Sequence, residues 1–223
     1  MTEITLYKTV GAIAAELPGA AEIFRRHGIS FCCGGDVPLA EAAEKAGLAP
    51  ASLLAELDAL VQAAGRDAPE ETLPLITHLL TRYHATHRAE LAFLIPLAQK
   101  VERVHGGHPS APTGLSETLI TLQDDLESHM MKEEQVLFPM MQRGGSPANS
   151  HPILQMRDEH NHEARHLQTI EHITHGFALP PGACGSWTTL YVGLRKFTDD
   201  LITHMRIENT ILFPRFEAAA AAH

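Results

Sequence analysis

Two segments of the chain repeat one another and carry the same pair of potential metal ligands. Asp124–Pro139 reads DDLESHMMKEEQVLFP and Asp199–Pro214 reads DDLITHMRIENTILFP, so nine of the sixteen aligned positions are identical. Each segment has a histidine four residues before a glutamate: His129 with Glu133, and His204 with Glu208. This spacing brings both side chains to one face of a helix. Imidazole and carboxylate groups placed together in this way are suited to bind a transition-metal ion.

Two further histidines extend the repeat to a pair of helices. His84 lies 45 residues before His129, and His160 lies 44 residues before His204. All of these histidines and both glutamates fall on the apolar faces of their segments. Because an unpaired buried carboxylate costs several kcal/mol, two of them are difficult to accommodate without cations. In an antiparallel bundle with a rise of 1.5 Å per residue, the six side chains fall in one layer, roughly 12–17 Å from the same end.

A regular helical period defines the apolar faces on both sides of this layer. It places Val136 and Met140 on the buried face beyond Glu133. It also places Leu73 and Leu80 on the buried face before the first histidine. We therefore expect these four apolar residues to be buried.

The six residues His84, His129, Glu133, His160, His204 and Glu208 predict a dinuclear metal site. A donor set without thiolate is unlike a structural zinc site, and four imidazoles make Mg²⁺ or Ca²⁺ a poor match. Both glutamates stand at equivalent positions of the repeat, so both can bridge two ions that each receive two histidine nitrogens. We expect two iron ions with an oxo or hydroxo bridge and one position open for O₂, NO or peroxide. Manganese and zinc remain alternatives.

Several polar residues near the repeat leave two interpretations open. Asp125 and Asp200 precede two of the candidate ligands by one turn, and either accept hydrogen bonds from those histidines or are solvated. His87 borders the buried face of its helix, where it is either near the site or separate from it. His162 and His166 stand four residues apart and are expected to face solvent, with metal binding as the less favoured alternative. The remaining histidines are expected on the surface or in loops.

Four long segments with helical periodicity carry the candidate ligands: 73–105, 114–143, 151–175 and 185–217. Their separators are short and rich in Gly, Pro and Ser, and no alternating strand pattern competes with them. The pattern predicts an all-α fold with an up-down-up-down four-helix bundle. Kinks or early stops are expected at Pro96, Pro139 and Pro214.

Residues 1–64 differ in composition from the rest and predict a small helical domain. We expect a first helix capped by Thr9, followed by helices at about 18–27, 38–46 and 50–63. Residues 65–72 are interpreted as a linker, and 73–223 as the bundle. The two adjacent cysteines Cys32 and Cys33 lie in a turn before Gly34 and Gly35.

A disulfide between neighbouring cysteines is strained and reducible, so Cys32 and Cys33 are expected to be reactive or metal-passing thiols. An inert buried pair is the alternative. The third cysteine, Cys184, lies in a loop and carries no comparable signal. Three cysteines in 223 residues also exclude a disulfide scaffold.

Composition limits the class of protein further. The chain has a formal charge of −10 and 15 histidines, and the acidic balance argues against a nucleic-acid binder. A hydrophobic content of 44% with 20% charged residues is typical of a globular protein rather than a disordered one. No apolar run approaches the ~18 residues of a membrane span, and the first residues are unlike a signal peptide. We therefore expect a cytoplasmic protein that binds neither nucleic acid nor membranes.

The combination of motifs resembles the iron–sulfur cluster repair di-iron proteins, the repair-of-iron-centres family. The resemblance covers nearly the whole chain and rests on FCCGG at Phe31–Gly35, RYH at Arg82–His84, KVERVH at Lys100–His105, SHMMKEEQVLFP at Ser128–Pro139, EH at Glu159–His160, and HxxxExxxLFP in the last helix. It implies a hemerythrin-like bundle whose iron ligands are the same six residues.

This resemblance implies a stress-response protein that restores iron–sulfur clusters damaged by nitric oxide or peroxide, by supplying iron. Its partners would be damaged iron–sulfur proteins and NO, O₂ or peroxide, with a second copy of the chain as a further candidate. The thiols of Cys32 and Cys33 would accept or pass on iron, or supply electrons. The alternatives are an enzyme that reduces NO or consumes O₂ or peroxide, and a hemerythrin-type O₂ carrier or sensor. The carrier is disfavoured because it uses an additional histidine. A purely structural metal bundle is disfavoured by the open coordination position.

Overall fold

The computed structural model of the protein describes residues 4–17, 20–29, 31, 35–63, 68–144 and 150–217. Within these ranges the regular structure is helical, and the β-type pairing is confined to one isolated bridge between Thr9 and Pro38. The predicted all-α class is therefore confirmed. No helix in the same ranges is both long enough and apolar enough to cross a membrane.

Four short helices form the N-terminal part of the chain: α1 (Val10–Glu16), α2 (Ala20–Arg26), α3 (Leu39–Lys45) and α4 (Pro50–Ala63). The Thr9 side chain caps α1 by accepting a hydrogen bond from the backbone N–H of Ala12 at 3.3 Å. Because Gly28 and Gly47 have φ of +68° and +73°, the chain can leave α2 and α3 in the left-handed conformation that glycine favours. Apolar residues from all four helices pack into one core.

The segment after the cysteine pair is held against the start of α1. The N–H groups of Val10 and Gly11 donate to the carbonyl oxygens of Val37 and Gly35 at 2.9 and 2.8 Å. These bonds satisfy two of the amides that a helix leaves free at its N-terminus. A Cβ atom at Gly35 would lie 2.3 Å from the carbonyl oxygen of Phe31, so this position has no room for a side chain.

The remainder of the chain forms the four-helix bundle. Helix α5 spans 72–105, α6 spans 115–142, α7 is Ser150–Ile173, and α8 spans 185–212; a short helix, α9 (Pro214–Glu217), follows. Each helix packs against its neighbour along the chain, and α8 closes the bundle against α5. This arrangement is the predicted up-down-up-down bundle. Helix α1 of the N-terminal part contacts α7.

Among the described residues, three π-helical turns interrupt the bundle helices: Leu79–His84 in α5, Glu133–Leu137 in α6 and Glu208–Leu212 in α8. Each includes at least one of the candidate metal ligands. The turns in α6 and α8 directly precede Phe-Pro pairs, in which proline cannot donate the next helical hydrogen bond. Helix α6 continues past Pro139 to Gln142, and Pro96 lies within an unbroken helix.

The π turns shift the apolar register, which makes part of the sequence prediction wrong. Val136 and Leu73, expected to be buried, are 50% and 55% exposed. The fully buried positions are instead Leu137 and Leu79, one residue away from Val136 and Leu80. A π turn contains one residue more than an α turn, so every side chain beyond it rotates by about one position.

The bundle core consists of two apolar clusters. One contains Trp187, Leu190, Phe197 and residues from the same end of the bundle. The other contains Leu75, Ile76, Phe138, Phe213 and their neighbours at the opposite end. On every bundle helix, one cluster lies before the candidate ligand and the other lies after it. The polar layer is therefore enclosed by apolar side chains on both sides.

Candidate metal centre

The structure brings all six predicted residues into one buried layer across the four bundle helices. The glutamates and His84 and His204 are fully buried, and the other two histidines are at most 3% exposed. Their ring nitrogens and carboxylate oxygens form two groups of four, and each group contains both Glu133 and Glu208. Within each group the donor atoms lie within 4.8 Å of one another.

The first group combines α5 and α8 through their histidines. His84 Nε2 lies 3.2 Å from His204 Nε2. Glu133 Oε2 lies 3.4 Å from His84 Nε2, and Glu208 Oε1 lies 3.2 Å from His204 Nε2. Two imidazoles and two carboxylates thus point at one small volume.

The second group combines α6 and α7 in the same way. His129 Nε2 lies 3.2 Å from His160 Nε2. Glu133 Oε2 lies 3.4 Å from His129 Nε2, and Glu208 Oε2 lies 3.1 Å from His160 Nε2. Each glutamate therefore faces one histidine of each group, which is the arrangement that a pair of bridging carboxylates requires.

The chemistry of these donors fits two metal ions. In the described part of the chain, the four oxygens of Glu133 and Glu208 have no hydrogen-bond partner, although both side chains are buried. Metal–nitrogen and metal–oxygen bonds of about 2.0–2.2 Å place neighbouring ligand atoms roughly 3.0–3.5 Å apart. The donor separations of 3.1–3.4 Å match this spacing. Cations would balance the charge of these two buried carboxylates, whose neighbours are the four histidine rings.

Local backbone structure positions the two glutamates. Each begins a π turn, and its carbonyl oxygen accepts a bond from the N–H five residues on: Phe138 for Glu133 and Phe213 for Glu208. Pro139 or Pro214 then follows. The repeated sequence thus produces the same π turn twice. Such π turns occur frequently at functional sites.

Three residues that the sequence motifs do not single out as functional orient the ligand rings. The Nδ1 atoms of His84, His129 and His160 lie 2.8, 3.1 and 3.0 Å from Glu134 Oε1, Glu159 Oε2 and Asn209 Oδ1, respectively. An acceptor at Nδ1 keeps the proton there and leaves Nε2 free for a metal. Each acceptor is the immediate chain neighbour of a candidate ligand, which is the signal that the sequence offered.

The fourth ring is held by stacking. Tyr83 lies parallel to His204, with ring centroids 5.5 Å apart and planes 6° from parallel. The Nδ1 atom of His204 has no hydrogen-bond partner among the described residues. His87 is also fully buried, and its ring centroid lies 5.3 Å from that of His204. It belongs to neither group of four.

Asp125 and Asp200 do not accept hydrogen bonds from the ligand histidines; the Asp125 side chain is exposed, whereas that of Asp200 is half-buried and ion-paired. Asp200 accepts hydrogen bonds from Arg82 at 2.7 and 3.0 Å, and from Lys196 at 2.7 Å. Asp125 lies 2.9 Å from Nε2 of His166 on the outside of the bundle.

Protons offset part of the buried charge in the absence of cations. Burial, reinforced by the nearby Glu208 carboxylate, raises the pKa of Glu133. Burial opposes protonation of His129, but the carboxylates of Glu133 and Glu163 outweigh it and raise the pKa of His129 to about 10. Burial lowers the pKa of His204 to about 3. A bound cation would therefore have to displace a proton from His129.

The cysteine pair Cys32 and Cys33 lies outside the described residues. Cys184, by contrast, is described: its Sγ atom lies 3.1 Å from Nε2 of His105, remote in sequence from the candidate ligands. It contributes nothing to either group of four.

A helical bundle with buried histidines and glutamates defines a hemerythrin-like protein, and comparison with known families agrees. Residues 75–216 match the hemerythrin HHE cation binding domain, and residues 6–61 match ScdA_N, a domain of unknown function (DUF542). A protein of Yersinia pseudotuberculosis serotype IB (strain PB1/+), named iron-sulfur cluster repair protein YtfE, is 41% identical over 211 residues. A protein of Yersinia pestis (strain Pestoides F) with the same name is also 41% identical. Each alignment covers 93% of this chain and 96% of the relative. The chain belongs to this iron–sulfur cluster repair family.

Proposed function

We propose that this protein repairs damaged iron–sulfur clusters and that its bundle holds two iron ions for this purpose. The repair function is supported by the names of relatives that align over nearly the entire chain. The dinuclear site is supported by one observation above all, the sharing of Glu133 and Glu208 between two groups of four donors.

In this proposal, His84 and His204 hold one ion, and His129 and His160 hold the other. Glu133 and Glu208 bridge them. A bound iron pair would supply redox chemistry and coordination positions for a small molecule such as NO, O₂ or peroxide. The four imidazoles and two carboxylates include no thiolate, which suits iron in this role better than a permanent structural zinc.

The residues around His129 make release of an ion dependent on protons. Its Nδ1 atom faces Glu159 at 3.1 Å and Glu163 at 3.8 Å. These carboxylates stabilise the protonated ring, in agreement with the raised pKa of His129. A proton that returns to Nε2 therefore competes directly with the metal for His129.

Cys32 and Cys33 are proposed to receive the released iron or to pass it to the damaged cluster. Thiolates bind iron well and are the ligands of iron–sulfur clusters themselves. The anchored Gly35, which directly follows the Cys-Cys-Gly motif, holds one end of that segment to α1.

A second candidate function is the reduction of NO, or of O₂ or peroxide, at the iron pair. It is favoured by the donor number, because each group offers four protein donors and an octahedral ion has six positions. In this function the six ligands would have the same role, and the cysteines would supply electrons.

One anaerobic experiment separates the two functions. The reduced, iron-loaded protein is incubated with NO or with an NO-damaged iron–sulfur enzyme, and N₂O formation and enzyme reactivation are measured. Repair predicts reactivation with loss of protein-bound iron and little N₂O. Stoichiometric or catalytic N₂O without reactivation would overturn the repair proposal.

The role of the cysteines is tested in the same assay. The double variant Cys32→Ser/Cys33→Ser is expected to keep its iron and to lose reactivation. Cys184→Ser is the matched control and is expected to behave as the wild type. Full reactivation by the double variant would exclude the cysteine pair from iron transfer.

A further inference from the structure

A second cluster of metal-binding side chains lies on the outside of the bundle, between α6 and α7. His162 and His166 stand one turn apart on α7, with ring centroids 4.9 Å apart. Asp125 Oδ2, on α6, lies 2.9 Å from Nε2 of His166 and 3.5 Å from Nε2 of His162. One donor atom from each residue falls within 4.8 Å of the other two.

We propose that Asp125, His162 and His166 form a surface site for a single divalent transition-metal ion, separate from the dinuclear centre. The separations of 2.9 and 3.5 Å are close to those of neighbouring ligands around one ion. Two imidazoles and one carboxylate on one side of an ion form the facial set typical of Fe²⁺, Co²⁺ and Zn²⁺ sites. The remaining positions face solvent, because the side chains of Asp125 and His162 are 45% and 53% exposed.

The surroundings of the three residues are acidic. Asp125, His162 and Glu163 line one cleft of about 360 Å³ between the two helices. Glu163 is 1% exposed, and its carboxylate lies 3.8 Å from Nδ1 of His129, so it adds negative charge beside the cleft without being a ligand of the surface ion. Asp158 and Glu159 line the same cleft, opposed by Lys132. The cleft therefore combines the imidazole of His162 with an excess of negative charge, which favours a cation there.

Arg165 opposes metal binding by His162. Arg165, which is exposed, donates from its guanidinium group to Nδ1 of His162 at 3.0 Å. That bond favours the tautomer with the proton on Nε2, the atom that faces Asp125. A metal at Nε2 requires the opposite tautomer, so Arg165 must turn away when an ion binds. Removal of Arg165 should strengthen a metal site, whereas it would only weaken a simple surface hydrogen-bond network.

The test is a calorimetric titration of the iron-loaded protein with Co²⁺, with iron content measured before and after. The wild type is expected to bind one more Co²⁺ than His166→Gln, whose affinity should fall at least about tenfold, since even groups behind a ligand have that effect. His172→Gln, which changes an exposed histidine of the same helix, is the matched control and should match the wild type. Arg165→Gln should bind Co²⁺ more tightly.

The proposal is overturned if wild type and His166→Gln bind the same number of Co²⁺ ions with the same affinity. It is also overturned if Arg165→Gln binds Co²⁺ no better than the wild type. Because the comparison is a difference between variants, it does not depend on whether the dinuclear site contains iron.

Discussion

Replacement of Glu133 by glutamine tests the shared-carboxylate site most directly. The change keeps the shape of the side chain and removes its charge. Because Glu133 belongs to both groups of four donors, we expect Glu133→Gln to lose tight binding of both ions. His204→Gln, which alters one group, is expected to lose one ion and to weaken the other.

The structure also predicts how stability changes. At 100 times Kd each ion stabilises the fold by about 2.7 kcal/mol, so two ions contribute about 5 kcal/mol. At ~2–4 °C per kcal/mol, iron should raise the Tm of the wild type by roughly 10–20 °C. Glu133→Gln should lose this increase. Glu117→Gln, the same change at an exposed site of the same helix, should retain it.

Without metal the same variant should be nearly as stable as the wild type. Glu133 and Glu208 oxygens lie within 4.8 Å, a repulsion of about 3.5 kcal/mol at an effective dielectric constant of ~20 if both are charged. Attraction to a protonated His84 or His129 at 3.4 Å is about 5 kcal/mol on the same scale. With one of these two histidines protonated, the attraction exceeds the repulsion by about 1.5 kcal/mol, so the net change on neutralisation of Glu133 is small.

The assays are iron content after anaerobic loading and thermal unfolding with and without iron. If Glu133 were instead a structural counter-ion of the histidines, its neutralisation would cost about 3–5 kcal/mol in the metal-free protein. That loss, or two retained irons in Glu133→Gln, would refute the assignment.

Three further predictions concern protons, ring orientation and backbone packing. The pKa of His129 is about 10 without metal, and the ring must be neutral to bind metal. Iron loading near pH 7.5 should therefore release protons, and the affinity for iron should rise with pH towards 10. Calorimetry in two buffers of different ionisation enthalpy measures this release, and heats that do not depend on the buffer would contradict it. Asn209→Ala removes the acceptor 3.0 Å from Nδ1 of His160 and should weaken iron binding about 10–100-fold in a competition assay. Asn161→Ala, at an exposed site, is the control and should have no effect. Equal iron affinities of Asn209→Ala and the wild type would show that the His160 ring needs no such support. Gly35→Ala places a Cβ 2.3 Å from a backbone oxygen and should destabilise the N-terminal part by about 1–3 kcal/mol in chemical denaturation. Gly185→Ala, where a Cβ meets nothing within 4 Å, serves as the control. Identical denaturation curves for Gly35→Ala and the wild type would exclude this steric cause.

Helix positions and the layer of six polar residues could be predicted from the sequence because both depend on local period and chain length. The bundle segments expected at 73–105 and 114–143 are observed at 72–105 and 115–142. Thr9 caps α1, and Gly28 and Gly47 adopt the left-handed conformation after α2 and α3. These features are determined by side chains within one or two turns of the residues concerned.

The apolar register beyond the ligands could not be predicted in the same way. The sequence offers two apolar candidates in succession, Val136 and Leu137, and a uniform helical period selects the first. The structure buries the second, because a π turn begins at Glu133. A uniform helical period cannot show such a turn, because the extra residue changes the positions of all side chains that follow it.

The sequence by itself determined which six polar residues share one layer, because duplication placed a histidine and a glutamate at matching axial positions on helices of known rise. Only the tertiary structure decided how the histidines are paired. The pairs His84–His204 and His129–His160 join different repeats, since adjacent helices in the closed bundle are α5 with α8 and α6 with α7. The tertiary structure also decided which neighbours orient the rings, because those contacts cross between helices.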